Sequence, residues 1–273
     1  MYRFTFAAAL ALIASPAIAQ DRGGETAPPP PFKVSGSVAF VSDYRFRGVS
    51  QSDKQIALQG GITVTHESGF YASTWASNLA GWGTFGGANL ELDLVGGYKR
   101  PLAGGTIDVG LTWYMYPGGA ALTDFAEPYV KVSGTLGPAT LLAGVAYAPK
   151  QKALGNFSNT PQSRGQSEDN LYLWGDGSAG VPGTPVTAKA HIGYSKGNPG
   201  LGPNGTSVAP TGSYWDWLLG VDYVVGPVTL GVAYVDTDIS RAKSAYLLPN
   251  FASTKNGSSI AGGTVLFSVS AGF

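Results

Sequence analysis

The sequence of 273 residues contains no cysteine, and charged residues are scarce. Without cysteine neither a disulfide framework nor a thiolate metal site is available, so stability must come from backbone pairing and burial. Charged residues make up 12% of the chain, against roughly 25% in soluble domains. Formal positive and negative charges balance and no basic stripe is present, which argues against a nucleic-acid partner.

Long apolar runs are also rare, and the longest lies at the N-terminus in "MYRFTFAAALALIASPAIAQ". Arg3 precedes an apolar stretch from Phe4 to about Ala14, and the small-residue site Ala17-Ile18-Ala19 follows. The stretch is shorter than the roughly 18 residues of a spanning helix, so residues 1–19 are predicted to be a cleaved signal peptide. The mature chain is therefore expected in the periplasm, the outer membrane or the medium.

Glycine and proline are abundant, and four consecutive prolines stand close behind the predicted cleavage site. Residues 20–32, "QDRGGETAPPPPF", favour an extended polyproline segment. A ligand for a proline-binding domain is the alternative interpretation, but a spacer is more common. We predict a periplasmic linker over 20–32 and one domain over 33–273.

Within that domain, segments of about ten residues alternate between apolar and polar character and are bounded by turn residues, as strands are. Twelve such segments lie near 33–47, 54–66, 69–78, 88–99, 106–116, 126–136, 139–148, 168–174, 185–195, 213–225, 228–236 and 262–273. An even number is typical of an up-and-down transmembrane barrel. The predicted fold is all-β: an antiparallel β-barrel of about twelve strands.

The connections between these segments alternate in length. Short ones, such as Gly137-Pro138 and Gly226-Pro227, are interleaved with longer ones, of which the longest is 237–261. The segment "GDGSAGVPGT" (Gly175 to Thr184) is counted among the short ones. Turns on one rim and loops on the other are typical of an outer-membrane barrel, whereas a β-sandwich has no reason to sort them.

In several segments one parity is nearly all apolar. The tenth places Trp215, Trp217 and Leu219 opposite Asp216 and Asp222. A sandwich could bury such a face too, but aromatic residues at segment ends suit a membrane interface. The last segment puts Phe267, Val269 and the terminal Phe273 on one face, a pattern that resembles the terminal strand read by the outer-membrane assembly machinery.

Four stretches carry a family resemblance: "FVSDYRFRGVSQSD" (Phe40 to Asp53), "GFYASTWASN", "ELDLVGGYKR" and the terminal "AGF". Together they resemble the TorF family of porins, conserved outer-membrane proteins of the Gcw_chp type. The resemblance implies an outer-membrane porin-like barrel without an assigned substrate. In the first stretch and just before it, Val38, Phe40, Tyr44 and Phe46 are expected to face lipid, which leaves the charged residues for the lumen.

The predicted function is passive diffusion of small hydrophilic solutes or ions through a polar lumen. Its predicted pore-lining residues carry both signs of charge and are Asp43, Arg45, Arg47, Glu91, Asp93, Asp108, Glu127, Lys131, Lys189, Asp216 and Asp222. Charges of both signs suit either a transverse electric field across an open lumen or a salt-bridged plug that closes it. The strand number does not decide between them, because barrels of about eight strands are filled by side chains, barrels of about sixteen leave a channel, and twelve lies between. Expected partners are outer-membrane lipid, lipopolysaccharide, the assembly machinery and small solutes.

Three alternatives remain: a closed structural or adhesin-like barrel, a secreted or periplasmic β-rich binding protein, and a hydrolase in the barrel wall. The two histidines, His66 and His191, lie in no recognisable catalytic motif, and no G-x-S-x-G elbow is present. A zinc site would need both histidines and carboxylates. No enzymatic activity, cofactor or metal is therefore expected.

Overall fold

The computed structural model describes residues 30–156, 164–197 and 208–273. The predicted signal peptide and most of the predicted linker lie outside these ranges. Within them, twelve antiparallel strands close into one barrel, which confirms the predicted fold class. The strands are β1 Phe32–Val41, β2 Ala57–His66, β3 Phe70–Asn78, β4 Leu90–Leu102, β5 Gly105–Met115, β6 Phe125–Leu136, β7 Ala139–Gln151, β8 Glu168–Gly180, β9 Val186–Gly197, β10 Ser213–Val225, β11 Val228–Thr237 and β12 Thr264–Gly272.

Each strand pairs with its neighbours in sequence, and β1 closes the barrel by pairing with both β2 and β12. The β1–β12 register runs from Ser37–Gly272 to Val41–Ser268. The backbone groups of Gly36 and Phe273 extend this seam by donating to each other at 3.0 Å. Closure leaves the described sheet without an open edge, which is the requirement for a sheet that spans hydrocarbon.

The two rims of the barrel differ in the length of their connections. The turn rim carries the connections 67–69, 103–104, 137–138, 181–185 and 226–227, and both ends of the barrel domain. The loop rim carries the longer connections, which contain the short helices α1 (Lys152–Asn156) and α2 (Arg241–Ser244) and the 3-10 turns Gly81–Thr84 and Ala245–Leu247. Among the residues described, no helix has the length and hydropathy needed to cross a membrane.

One predicted turn is shorter than expected. The segment from Gly175 was predicted to be a connection, but β8 continues to Gly180 and leaves only 181–185 between the strands. Backbone pairing with β9 does not depend on side chains, so small residues can continue a strand whose neighbours supply the packing. Leu141 of β7 and Ile192 of β9 do this, since their side chains lie 3.5 and 4.0 Å from the places that Cβ atoms on Gly177 and Gly175 would take.

The outer face of the barrel is apolar and the inner face is polar. Leu219 on β10 is 62% exposed and Phe267 on β12 is 60% exposed, whereas Asp216 and Asp222 are buried. Val269 and Phe273 point outward with Phe267, as the parity predicted. This order suits a barrel surrounded by hydrocarbon with polar groups in its interior.

The first predicted strand is wrong beyond Val41. The chain there turns into the barrel and forms a hairpin in which Arg45–Phe46 pairs with Val49–Ser50. The turn residues Arg47 and Gly48 both have positive φ, 49° and 78°, as a two-residue hairpin turn of type I′ requires. We call residues 43–53 the inner hairpin.

The predicted outward facing of Tyr44 and Phe46 is therefore wrong as well. Their side chains are 2% and 7% exposed and lie inside the barrel. Alternation of aromatic and charged residues predicts two different environments for the two faces of a strand. In the inner hairpin both faces meet protein, and the charged groups find partners within the interior.

Candidate functional site

The inner hairpin and the loops that fold over it pack inside the loop-rim half of the barrel. Tyr44 packs edge-on against Trp75 of β3, and Phe46 packs edge-on against Tyr114 of β5. On the other side, Val49 is buried among residues of the 238–263 loop, which include Leu247, Phe251 and Ile260. A constriction of the lumen therefore exists at this level.

Arg45 holds the inner hairpin to the 238–263 loop. Its side chain is fully buried, and its Nε donates to Asp43 Oδ2 at 2.6 Å. Its Nη1 donates to the carbonyls of Gly48 and Ile260, each at 2.9 Å. Asp43 also accepts from the Ser50 hydroxyl at 2.5 Å. Asp43 and Arg45 thus neutralise each other inside the hairpin.

Arg47 joins the tip of the hairpin to the barrel wall. Its Nη2 donates to both carboxylate oxygens of Glu127 on β6 at 2.7 Å, and its guanidinium lies 4.0 Å from the centre of the Tyr172 ring on β8. Burial by itself would lower the pKa of Arg47, but the Glu127 carboxylate outweighs it and raises that pKa, so the guanidinium stays charged.

Glu91 and Asp93 face the interior from β4, as predicted, but neither pairs with Arg45 or Arg47. Both oxygens of Glu91 lie 3.1–3.2 Å from the Tyr44 hydroxyl, which donates to them. Burial, with help from Glu91 and Asp93, raises the pKa of Tyr44 and keeps that hydroxyl protonated. Asp93 is 3% exposed, and its Oδ1 has no hydrogen-bond partner among the residues described.

Four of the remaining predicted lumen residues, Asp108, Lys131, Lys189 and Asp222, form ion pairs nearer the turn rim. Asp108 accepts from Tyr71 at 2.7 Å and lies 3.2 Å from Lys131 and 3.8 Å from Lys99. Lys189 and Asp222 are 2.6 Å apart. All eleven predicted residues are inside the barrel, and their contact with a passing solute stays a prediction.

Lys99 and Asp176 are interior charged residues that the sequence reasoning missed. Lys99 has the same parity on β4 as Glu91 and Asp93, so that pattern could have found it. Asp176 was assigned to a turn, but it lies on β8, and its Oδ1 is 2.6 Å from His191 Nδ1. It was missed because the predicted strand ended at residue 174, whereas β8 extends to Gly180.

The two histidines have separate environments. His66 lies at the turn rim beside the Ser68 hydroxyl. His191 on β9 contacts Asp176, Asp216 and Tyr172, and none of these described partners is a serine. In the three described ranges, no three histidine or carboxylate side chains form a group that could hold a metal ion.

Solved structures with the same fold include two proteins named as porins. The NanC porin is 12% identical with a TM-score of 0.54, over 88% of this chain and 98% of that chain. The KdgM porin is 9% identical with a TM-score of 0.52, over 88% of this chain and 99% of that chain. At these identities the likeness concerns the fold. No curated protein matches the sequence.

The sequence also matches one protein family along almost its whole length. The family is described as "Bacterial protein of unknown function (Gcw_chp)", and the match covers residues 25–273. The matched range includes every strand of the barrel and the inner hairpin. The chain therefore belongs to the Gcw_chp family.

Proposed function

We propose that this protein is an outer-membrane channel through which small hydrophilic solutes diffuse passively. The observation that carries the proposal is the inverted order of the barrel, with apolar side chains outside and charges of both signs inside. Charged groups in the lumen of a membrane barrel tune which solutes and ions pass. Two proteins of the same fold bear the name porin, which supports the proposal by analogy of fold.

The proposal includes the route to the membrane. Residues 1–19 act as a signal peptide, 20–32 as a periplasmic linker, and Phe267, Val269 and Phe273 as the signal read by the assembly machinery. The lipid and lipopolysaccharide of the outer membrane cover the apolar face. The motifs from Phe40 to Asp53 and from Glu91 to Arg100 support a finer placement among the TorF porins.

The inner hairpin is the proposed constriction. It occupies the loop-rim half of the interior, and its Arg47 reaches the wall at Glu127 and Tyr172. Solutes would pass from the loop rim, beside the hairpin, into the polar half lined by Asp108, Lys131 and Lys189. Selectivity would then depend on the hairpin as well as on the wall.

Conductance of the purified, folded protein in planar lipid bilayers tests this function. Discrete current steps above the baseline are expected, and their reversal potential in a salt gradient reports ion selectivity. Protein that shifts on a gel after boiling, as folded barrels do, but gives no steps would contradict the channel.

A closed structural barrel is the second candidate, and one observation favours it. Most interior charges pair with one another, as Arg47 does with Glu127 and Lys189 with Asp222, which is how a salt-bridged plug would be built. Liposome swelling in small neutral solutes separates the two candidates, because only a channel admits the solute.

A further inference from the structure

The side chains that face the barrel interior change in exposure near mid-height. From mid-height to the turn rim, the side chains of Asp176 on β8 and His191 on β9 are each 23% exposed, and that of Lys99 on β4 is 19% exposed. Nearer the loop rim, Asn170 on β8 and Ser195 on β9 are 1% and 0% exposed. The described interior therefore has room for water in its turn-rim half and none beside these two residues.

Two aromatic rings leave this space free because they lie along the wall. Tyr71 on β3 lies across Gly97 of β4, with its Cζ 2.5 Å from the place a Cβ on Gly97 would take. Tyr129 on β6 lies across Gly110 of β5 in the same way, at 2.6 Å. Glycine permits this close approach because it has no side chain. Both rings therefore follow the wall instead of crossing the lumen.

The turn rim offers an entrance to the space. The longest of its five connections is 181–185, and the others are shorter. Each residue adds at most about 3.6 Å of reach, so these connections join neighbouring strands and cannot fold over the mouth of a twelve-stranded barrel. The described turns therefore leave this mouth uncovered.

Toward the loop rim the space ends at the inner hairpin, which touches the wall on several sides. Tyr44 donates to a carboxylate of β4, and Phe46 packs edge-on against a ring of β5. Arg47 pairs with a carboxylate of β6 and lies over the ring of Tyr172 on β8. A Cβ on Gly48 would clash with β11 and lie 3.0 Å from an atom of β10. Contacts with strands from β4 round to β11 thus hold the hairpin across the lumen.

One layer of side chains separates the two halves. The Tyr172 hydroxyl is 2.9 Å from Nε2 of the partly exposed His191, which lies on its turn-rim side. On the loop-rim side, Arg47 covers the Tyr172 ring and is held by both oxygens of Glu127 at 2.7 Å. Arg47, Glu127 and Tyr172 are 5%, 3% and 7% exposed. We call these three residues the gate layer.

We propose that the turn-rim half of the barrel is a water-filled vestibule open to the periplasm, and that the gate layer closes it toward the loop rim. The proposal rests on the proposed channel, because the gate layer would regulate passage through it. Arg45 and Ser50 both donate to the carbonyl of Ile260 at 2.9 Å, which ties the base of the hairpin to the 238–263 loop. The tip at Arg47 and Gly48 is therefore the part that moves when the gate layer opens.

Cysteine labelling tests the vestibule, because the chain contains no cysteine of its own. Ser178→Cys places one thiol in the vestibule on β8, where Ser178 is partly exposed. Ser195→Cys places one beyond the gate layer on β9, where Ser195 is fully buried. Folded protein in mild detergent is treated with sulfonatoethyl methanethiosulfonate, and each rate is divided by that of the unfolded variant. Ser178→Cys should react faster by about tenfold or more, since buried thiols are inert.

Gly48→Ala in the Ser195→Cys variant tests the gate layer. The clash of the new Cβ displaces the hairpin tip, so labelling of Ser195→Cys should become faster by about tenfold or more. Gly118→Ala in the same variant is the matched control, because Gly118 also has a positive φ but has open space around it. It should leave the slow rate unchanged. If Gly48→Ala does not fold, the charge-balanced double variant Arg47→Gln with Glu127→Gln takes its place.

Three results would overturn the proposal. They are a folded Ser178→Cys that does not react, a folded Ser195→Cys that reacts as fast as Ser178→Cys, and a folded Gly48→Ala that leaves the rate at Ser195→Cys unchanged. Labelling needs no current, so it is independent of the bilayer experiment. The expected labelling without current steps in bilayers would overturn the channel and leave the one-sided vestibule standing.

Discussion

The environment of Arg47 in the structure differs from the one that its sequence neighbours predict. Its neighbours along the chain predicted a strand residue lining water, but the side chain is 5% exposed and pairs with Glu127, 80 residues away. Two charges removed from water are tolerated only with close geometry and further hydrogen bonds. Arg47 Nη2 contacts both oxygens of Glu127 at 2.7 Å, and Glu127 also accepts a hydrogen bond from the Tyr114 hydroxyl at 3.2 Å.

Glu127→Gln should therefore destabilise the folded barrel strongly. Removal of one partner of a buried ion pair leaves the other charge uncompensated, at a cost of about 3–5 kcal/mol. The double variant Arg47→Gln with Glu127→Gln removes both charges and should recover part of that loss. The measurement is the temperature at which the folded band disappears on a gel. Equal temperatures for the single variant and the wild type would mean that the pair contributes nothing.

At the scale of the element, the inner hairpin is the proposed constriction of the barrel. Its strands Arg45–Phe46 and Val49–Ser50 are too short to be stable alone, so the wall and the loops must hold them in place. Gly48 at the tip has φ 78°, and a Cβ there would clash with Thr237 Cγ2 and lie 3.0 Å from Asp216 Cβ. The fit of the tip against β10 and β11 thus requires glycine.

Gly48→Ala should displace the tip and raise the conductance while the barrel still folds. Gly118→Ala is the matched control, because Gly118 has φ 80° but no described atom within 4 Å of the place its Cβ would take. Both variants carry the backbone strain of a left-handed alanine, and only the first adds a clash. Single-channel currents of the two variants are compared with the wild type. Identical currents in folded Gly48→Ala and Gly118→Ala would show that the hairpin is not the constriction.

For the whole molecule, the central feature is the inverted order of apolar and polar faces around a closed sheet. Leu219 stands midway along β10 and is 62% exposed, whereas its neighbour Leu218 is buried in the interior. In water an exposed belt of such residues would promote aggregation. Surrounded by lipid, the same belt stabilises the barrel.

Leu219→Arg should impair folding into lipid, because a charge near the midplane of the lipid face costs roughly 2–4 kcal/mol. Leu219→Met is the control that keeps size and apolar character. The folded fraction of each variant in lipid vesicles is measured by the gel shift before and after boiling. Normal folding of Leu219→Arg in a vesicle would contradict the lipid-facing assignment of this face.

The sequence by itself determined the barrel, its twelve strands, the sorting of loops and turns, and the facing of β4, β5, β10 and β12. These features follow from local alternation and from turn residues, which act within about ten positions. Only the tertiary structure decided that residues 43–53 enter the lumen, that Arg45 meets the carbonyl of Ile260 and that Arg47 meets Glu127. Such contacts join residues distant in the chain, and a strand pattern is the same whether its polar face meets water or protein.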